Sequence, residues 1–441
     1  MNKARIFSIA GILITVLLLT GTVAQAAGLT KIATNHSFGS PRAMGNGLYD
    51  PVSNKTYVAW NGPDMDIYIR AYNHATQGWE AALKVKDNSY TGKWDYHNYP
   101  VLIIAPNGKL QIYYAQHTTK AFVVTAPNPN SIAGTWTTQT ISTDQNGYPM
   151  PVVAGNDIYV FYSKNDEVSY PYRTFRYIKS TNNGGTWSSP VTVIDSGKQD
   201  PNRFDEVYAN EVKYDKDRNR ILMSWKMSGG PHGHDKQSKD LHFAYLDIAT
   251  NTMRSIGGSS LGGVVNYSEF TQTRVFSSTP GDNGGSYADT HNVYGGTFDW
   301  IGNGNPVIAF GYYNIKGDGS KKSYFYSWNG TGWTISTIST TNAALSDLER
   351  MGTLWDDFRV IIGDSGNPAI KHIYKTTNAS SFSIEDSFTM PLDNSANRAN
   401  YTDFIEGAPV GSKVQIVFGE CGSVDPNNYT RGIWSVYVYG N

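Results

Sequence analysis

The chain has 441 residues, with 36 Lys and Arg against 37 Asp and Glu, so no global basic field favours nucleic acid and any anionic ligand must be met locally. Thirty Tyr, 11 Trp and 44 Gly are the mixture of many short strands and turns and of sugar-stacking surfaces, and helix-period segments are scarce. The single cysteine, Cys421, cannot close an internal disulfide, so an exported form would be held by its core alone.

Lys3 and Arg5 precede an apolar run from Ile6 to Leu19 and the small-residue site Ala24-Gln25-Ala26. This pattern predicts a secretory signal over residues 1–26 and a secreted or periplasmic product, with residues 27–441 as a single catalytic domain. The apolar core is short for a membrane anchor, so no membrane partner is expected.

Strand, turn, strand, turn and aromatic strand then recur about every 45–50 residues, the period of propeller blades. The copies span Gly45–Val85, His97–Ile141, Tyr148–Ile194, Val207–Ile256, His291–Ile338, Arg350–Phe388 and a last one from about Tyr401. The expected fold is all-β, a seven-bladed β-propeller of four-stranded antiparallel blades, acting as a monomer. A leftover strand, Leu29 to Ala33, would pair with the seventh copy and close the ring, removing free edges. A pair of β-sandwiches is the competing architecture.

Ser180-Thr-Asn182-Asn-Gly184-Gly-Thr186-Trp187 matches an Asp-box turn with Asn in the usual Asp place, and Gln77-Gly-Trp79 and Asn329-Gly-Thr-Gly-Trp333 echo it. The polar side chains bond the turn's own backbone, Gly supplies positive φ, and Trp packs between blades. Such a turn speaks to fold and not to catalysis.

The chemistry gathers around Asp95 to His117. Two apolar runs, Pro100–Ala105 and Leu110–Ala115, flank a Pro-Asn-Gly-Lys turn, so His97 and His117 should meet at the open end of a hairpin. Matching Pro100 to Pro151 sets His97 opposite Tyr148 in the third copy; the other copies offer Tyr208 or Asn210, His291, Arg350, Tyr401 and Arg42 at the channel. A second tier holds His117, Tyr162 and Lys164, with Arg173 and Arg176 on the next strand. Arg presents a planar fork suited to a carboxylate or sulfate, so one of these two is expected to hold an acidic sugar. Tyr148, Tyr208, His291 and Arg350 are expected substrate contacts.

His, Tyr and Arg without a carboxylate pair fit β-elimination of a uronic acid better than glycoside hydrolysis, which uses two Asp or Glu. The C5 proton becomes acidic once the carboxylate beside it is neutralised; a neutral His can then remove it while a Tyr hydroxyl protonates the departing C4 oxygen.

Asp95-x-His97-Asn98-x-Pro100, His117 twenty residues on, Phe161-Tyr162, the Arg before an Asp-box strand and the His-rich stretch before Lys239-Asp-Leu-His-Phe resemble the BNR-repeat propeller lyases, most closely the secreted bacterial ulvan lyases. The resemblance covers most of the mature chain and is most specific between residues 95 and 245. It implies a seven-bladed propeller whose active site uses His97, His117, Tyr162 and Arg176, with Arg173 the alternative to Arg176 because the spacing from Tyr162 is short. It also implies an endolytic cut of ulvan at the rhamnose-3-sulfate to uronic acid linkage, leaving an unsaturated uronate end.

His232 and His234, with His242 and Cys421 beyond, carry N and S donors suited to zinc; a structural metal, zinc or calcium, is the cofactor expectation, with none required for the chemistry. Gripping sulfated sugar is the other role open to the loop histidines. Two rivals stand beside the lyase. A sialidase-like glycoside hydrolase would need three arginines around one carboxylate and a Tyr-Glu nucleophile pair, for which Arg42, Arg350 and Glu206 are candidates, and would leave the His pair unexplained. A non-catalytic carbohydrate-binding propeller would repeat one pocket in every copy, whereas the distinctive residues cluster in the second and third.

Overall fold

Runs of Val, Ile, Tyr and Phe alternate between two buried faces and are broken by Asn, Asp and Gly, a pattern that builds short antiparallel strands joined by tight turns. The computed structural model of the chain describes residues 28–34, 46–62, 66–88, 99–115, 119–144, 146–167, 172–197, 205–229, 238–277, 293–313, 320–342, 344–351, 357–367, 369–390, 398–409, 411–421 and 434–440. Within these the protein is all-β apart from two helical pieces, Tyr267–Glu269 and Phe270–Thr273.

Most strands lie in antiparallel sheets of four. The hairpin anticipated between Pro100 and Ala115 is Val101–Ile104 paired with Lys109–Ala115, Val101 opposite Tyr113. Gly108 sits at φ +78 in its turn, where a β-carbon would be strained. The third and fourth copies run together into one larger sheet through a single parallel contact, Arg173 opposite Glu206. Strand Gly28–Thr34 pairs antiparallel with Trp434–Gly440, as the leftover strand was expected to do.

The first strand of each sheet packs on the first strand of the next, through Gly47–Asp50, Val101–Ile104, Asn146–Ala154, Glu206–Asp215, Val293–Trp300, Ala344–Arg350 and Arg398–Phe404. The succession returns to its start where Leu48 bridges Glu406 and Tyr49 N–H donates to Glu406 O at 2.9 Å.

The Asp-box turn forms as its residues dictate. Ser180 Oγ accepts from Gly184 N–H at 2.8 Å and Asn182 Oδ1 from Thr186 N–H at 2.8 Å. Asn183 then reaches the preceding sheet, accepting from Asn107 N–H at 3.0 Å, and Trp187 lies edge-on to Tyr113. A related turn went unrecognised in the sequence: Asn378 Oδ1 accepts from Ser380 and Ser381 N–H beside Ala379 at φ +52.

Two expectations are corrected. Tyr99 stacks on Tyr148 with centroids 6.4 Å apart, and Tyr148 meets Tyr208 at 6.3 Å. The pairs Tyr99-Pro100 and Tyr148-Pro149 are therefore equivalent, and the match of Pro100 to Pro151 was two residues out. Arg350 does not open the sixth copy but ends the first strand of that sheet, Ala344–Arg350. Its Asp, Glu and Arg residues gave that strand the look of a loop, and they are accommodated because they line a cavity.

Ile32 of the closing strand is 4% exposed and packs with Val58, Val436 and Val438. Ile32→Ala is expected to cost about 2–5 kcal/mol, read as a lower thermal midpoint. An unchanged midpoint would show that the closing strand carries no stability.

Candidate active site

Antiparallel pairing sets the beginning of each first strand beside the end of the second, as Asn146 beside Lys164 and Glu206 beside Ser228. Arg173, at the start of the third strand Tyr172–Ser180, lies opposite Asn165 at this same end. Tyr148, Tyr162, Arg173, Arg176 and Tyr208 therefore gather at one end of the first strands. His97, His117, His291, His232 and His234 lie outside the described residues; Tyr99 and Ala115 are the described residues two places from the first pair.

Alternation along Tyr172–Ser180 sends the two arginines to opposite faces. Arg173 shares its face with Phe175 and Tyr177, which pack toward the fourth sheet, while Arg176 shares the other with Ile178, which packs toward the second.

On the first face, Arg173 Nε donates to Glu206 Oε1 at 2.9 Å, with side chains 4% and 1% exposed. Its guanidinium carbon stands 4.8 Å from the centroid of the Tyr208 ring. Burial works against the Arg173 charge, but Tyr208, Tyr148 and Glu206 outweigh it and hold the group firmly protonated. Tyr148 takes φ +61, costing about 1–3 kcal/mol in a residue with a β-carbon, a strain that tends to survive at functional sites. Gly229, at φ +64, makes room for Glu206: a β-carbon there would stand 1.9 Å from Glu206 Oε2.

On the second face, the Tyr162 hydroxyl donates to Asp144 Oδ2 at 2.8 Å, and Arg176 NH1 approaches the same oxygen at 3.5 Å. Arg176 Nε also donates to Thr174 Oγ1 at 3.0 Å. The Tyr162 ring is buried between the second and third sheets, among Tyr113, Ala115 and Ile178. Burial first, and then Asp144, push its hydroxyl pKa well above the ordinary phenol value. Asp144 and Arg176 are 16% and 21% exposed at their side chains, so this cluster reaches solvent where the Arg173 cluster does not. Asp144 carries no motif in the sequence; a lone Asp after a Thr-rich strand reads as a turn residue.

His242 is 1% exposed, flat against Trp225 at 5.3 Å, with Nδ1 3.0 Å from Thr273 Oγ1. Burial, then Arg274, holds its pKa down to about 3, so it is a neutral ring in the core. Among the described residues no three His, Cys, Asp or Glu side chains form a group that could hold a metal. The side chain of Cys421 is outside those residues. No helix among them is long and apolar enough to cross a membrane.

The other end of the first strands holds a cavity of about 830 Å³ lined by Glu211, Lys213, Asp299, Asp347, Glu349 and Arg350 among others. Arg350 lies here, 3.8 Å from Asp299, and so is separated from Tyr148 and Tyr208 by the length of the strands. Glu211 accepts Phe298 N–H at 2.6 Å and Asp347 accepts Phe404 N–H at 2.9 Å, each tying one sheet to the next. Burial first, with Asp347 beside it, pushes the Glu349 carboxyl up to about 8. The native state then holds a proton that the unfolded chain releases near the ordinary Glu value of about 4.3, so stability falls as pH rises through this window. The thermal midpoint is expected to drop by a few degrees between about pH 5 and pH 8.5, and Glu349→Gln to reduce that slope, burial of Glu211 and Asp347 supplying the rest. The same slope in the variant would remove Glu349 as its source.

Comparison with known proteins adds three findings. The sequence signature described as "BNR repeat-containing family member" matches residues 55–341. Over 316 residues the chain is 25% identical to "Ulvan Lyase-PL25" of Pseudoalteromonas sp. (strain PLSV), spanning 63% of this chain and 60% of that protein. Over 234 residues it is 27% identical to "Ulvan lyase" of Alteromonas sp. (strain LOR), spanning 47% of each. The chain thus spans about half to three fifths of the length of these relatives. In fold it is similar to a PL25 ulvan lyase solved bound to -[GlcA(1-4)Rha3S]-, with TM-score 0.71 at 17% identity over 93% of this chain and 96% of that one. It is also similar to the polysaccharide lyase Uly1, with TM-score 0.59 at 12% identity over 92% of each chain.

Proposed function

This chain belongs to the BNR repeat-containing family, and from that premise we propose that it is a polysaccharide lyase that cleaves ulvan by β-elimination at the uronic acid. The fold in this reading is a seven-bladed propeller made by one domain, supported by the succession of first strands and its return through Leu48 and Glu406. The product is secreted or periplasmic and acts as a monomer, in keeping with the signal-like residues 1–26.

One observation carries the reaction type. At the end of the first strands where Tyr148, Tyr162 and Tyr208 gather, Glu206 is bound to Arg173 and Asp144 to Tyr162 and Arg176. Glu206, 1% exposed and paired with Arg173, and Asp144, shared by Tyr162 and Arg176, fit the wall of an elimination site better than the acid and base pair of a glycosidase. The sialidase-like alternative also needs Arg350 beside the other arginines, and it lies at the far end of the strands.

Arg176, the more exposed arginine, neutralises the uronate carboxylate. A neutral imidazole of His97 or His117 takes the C5 proton, the C4–O bond breaks as the C4=C5 double bond forms, and a proton passes to the departing oxygen. Tyr162 is the candidate donor: its hydroxyl is held by Asp144 at 2.8 Å in a side chain that is 0% exposed, so donation requires the sugar to reach in past Arg176. Tyr148, Tyr208 and His291 contact neighbouring sugars, and Arg173 holds this wall in place. A structural zinc or calcium at His232 and His234 stands outside these steps, and His242 fits a core histidine better than a ligand.

Ultraviolet absorbance of the unsaturated uronate, followed while the purified protein acts on ulvan, tests the reading. His97→Ala is expected to lower kcat by about 10²–10⁴ and Arg176→Ala by about 10²–10³. Reducing sugar released without absorbance would replace the lyase by the hydrolase, and binding with neither signal would leave a carbohydrate-binding propeller.

A further inference from the structure

Asp144 has no part in the sequence motifs, yet one of its oxygens is where the two groups of the second face meet. Oδ2 receives the Tyr162 hydroxyl at 2.8 Å and Arg176 NH1 at 3.5 Å. The backbone that carries it is itself anchored: Asp144 N–H donates to Ser142 Oγ at 3.0 Å, and Ile141 N–H before it donates to Ala121 O at 2.9 Å. Asp144 thus hangs from the last strand of the second sheet, Thr137–Thr140, while Tyr162 and Arg176 face each other across two strands of the third.

We propose that Asp144 is a positioning residue of the elimination site, setting the distance between the proton-donating hydroxyl and the guanidinium that neutralises the substrate carboxylate. The inference rests on the lyase reading. Three observations favour it. Tyr162 and Arg176 are directly cross-strand, so both side chains emerge on one face and need a third group to hold their tips together. That group comes from the neighbouring sheet, so it also fixes the seam between the two sheets. A donor to a carboxylate is also held more tightly than a donor to a neutral oxygen, which suits a site whose atoms must stay within a fraction of an ångström.

Asp144→Asn keeps an oxygen for the hydroxyl but loses the charge that holds the arginine. On ulvan, with absorbance as the readout, kcat is expected to fall about 10–100-fold while KM changes less than about threefold and the thermal midpoint stays within a few degrees. In an Arg176→Ala background the same change should cost little more, because Asp144 acts through a group already gone. A defect of folding alone would add to Arg176→Ala and would lower the midpoint. If Asp144→Asn unfolds, Asp144→Glu carries the test: its longer carboxylate should fold and give a kcat between wild type and Arg176→Ala. Wild-type kcat in the variant that folds, or full additivity with Arg176→Ala, would overturn the inference and leave the lyase standing. No absorbance from the wild-type protein would instead remove the lyase reading itself.

Discussion

Each sheet spends most of its backbone hydrogen bonds within itself, so what joins one sheet to the next must come largely from side chains. The buried polar residues answer that constraint. Glu211 and Asp347 accept backbone N–H groups of the following sheets, and Asn46 Nδ2 donates to Asp403 at 2.7 Å. Their burial would be costly if they were unpaired; paired, they fix which strand lies beside which. The candidate site uses the same device at two seams, Asp144 between the second and third sheets and Glu206 between the third and fourth.

This explains what could be read from the sequence and what could not. The strand and turn pattern, the Asp-box at Ser180–Trp187 and the pairing of the N-terminal strand all follow from local chemistry: alternation, glycine at positive φ, polar side chains closing turns. The first strand of the sixth sheet did not, because Asp347, Glu349 and Arg350 are charged residues in a strand that lines a cavity, and local pattern reads charge as exposure. The slip at Pro100 has another origin. Tyr-Pro recurs at 99–100 and 148–149, but two prolines in Pro149-Met-Pro151 offered a choice that only the ring stacking of Tyr99 on Tyr148 decides.

The residue types of the site were legible and their partners were not. Tyr162, Arg173 and Arg176 stand out by chemistry, yet the sequence does not say that Arg173 and Arg176 face opposite ways. Period-two alternation puts residues three apart on opposite faces once the strand is known to run unbroken from Tyr172 to Ser180. Asp144 and Glu206 are ordinary acidic residues in one dimension and become partners only where sheets meet.

The two arginines then divide the work by how tightly each is held. Arg173 is sealed with Glu206 at 2.9 Å beneath aromatic rings, and breaking such a buried pair costs about 3–5 kcal/mol. A passing sugar carboxylate cannot repay that. Arg176 meets Asp144 at 3.5 Å and is about a fifth exposed, so a second carboxylate can share its guanidinium without stripping the first. In the proposed lyase, Arg173 therefore serves as wall and Arg176, about a fifth exposed, as the arginine that meets the uronate. At the other end the cavity gathers Glu211, Asp299, Asp347 and Glu349 against Lys213 and Arg350, and burial keeps Glu349 protonated, so acids and bases there nearly balance. The arginine that a uronate can reach in this reading stands at the same end of the strands as Tyr148, Tyr162 and Tyr208.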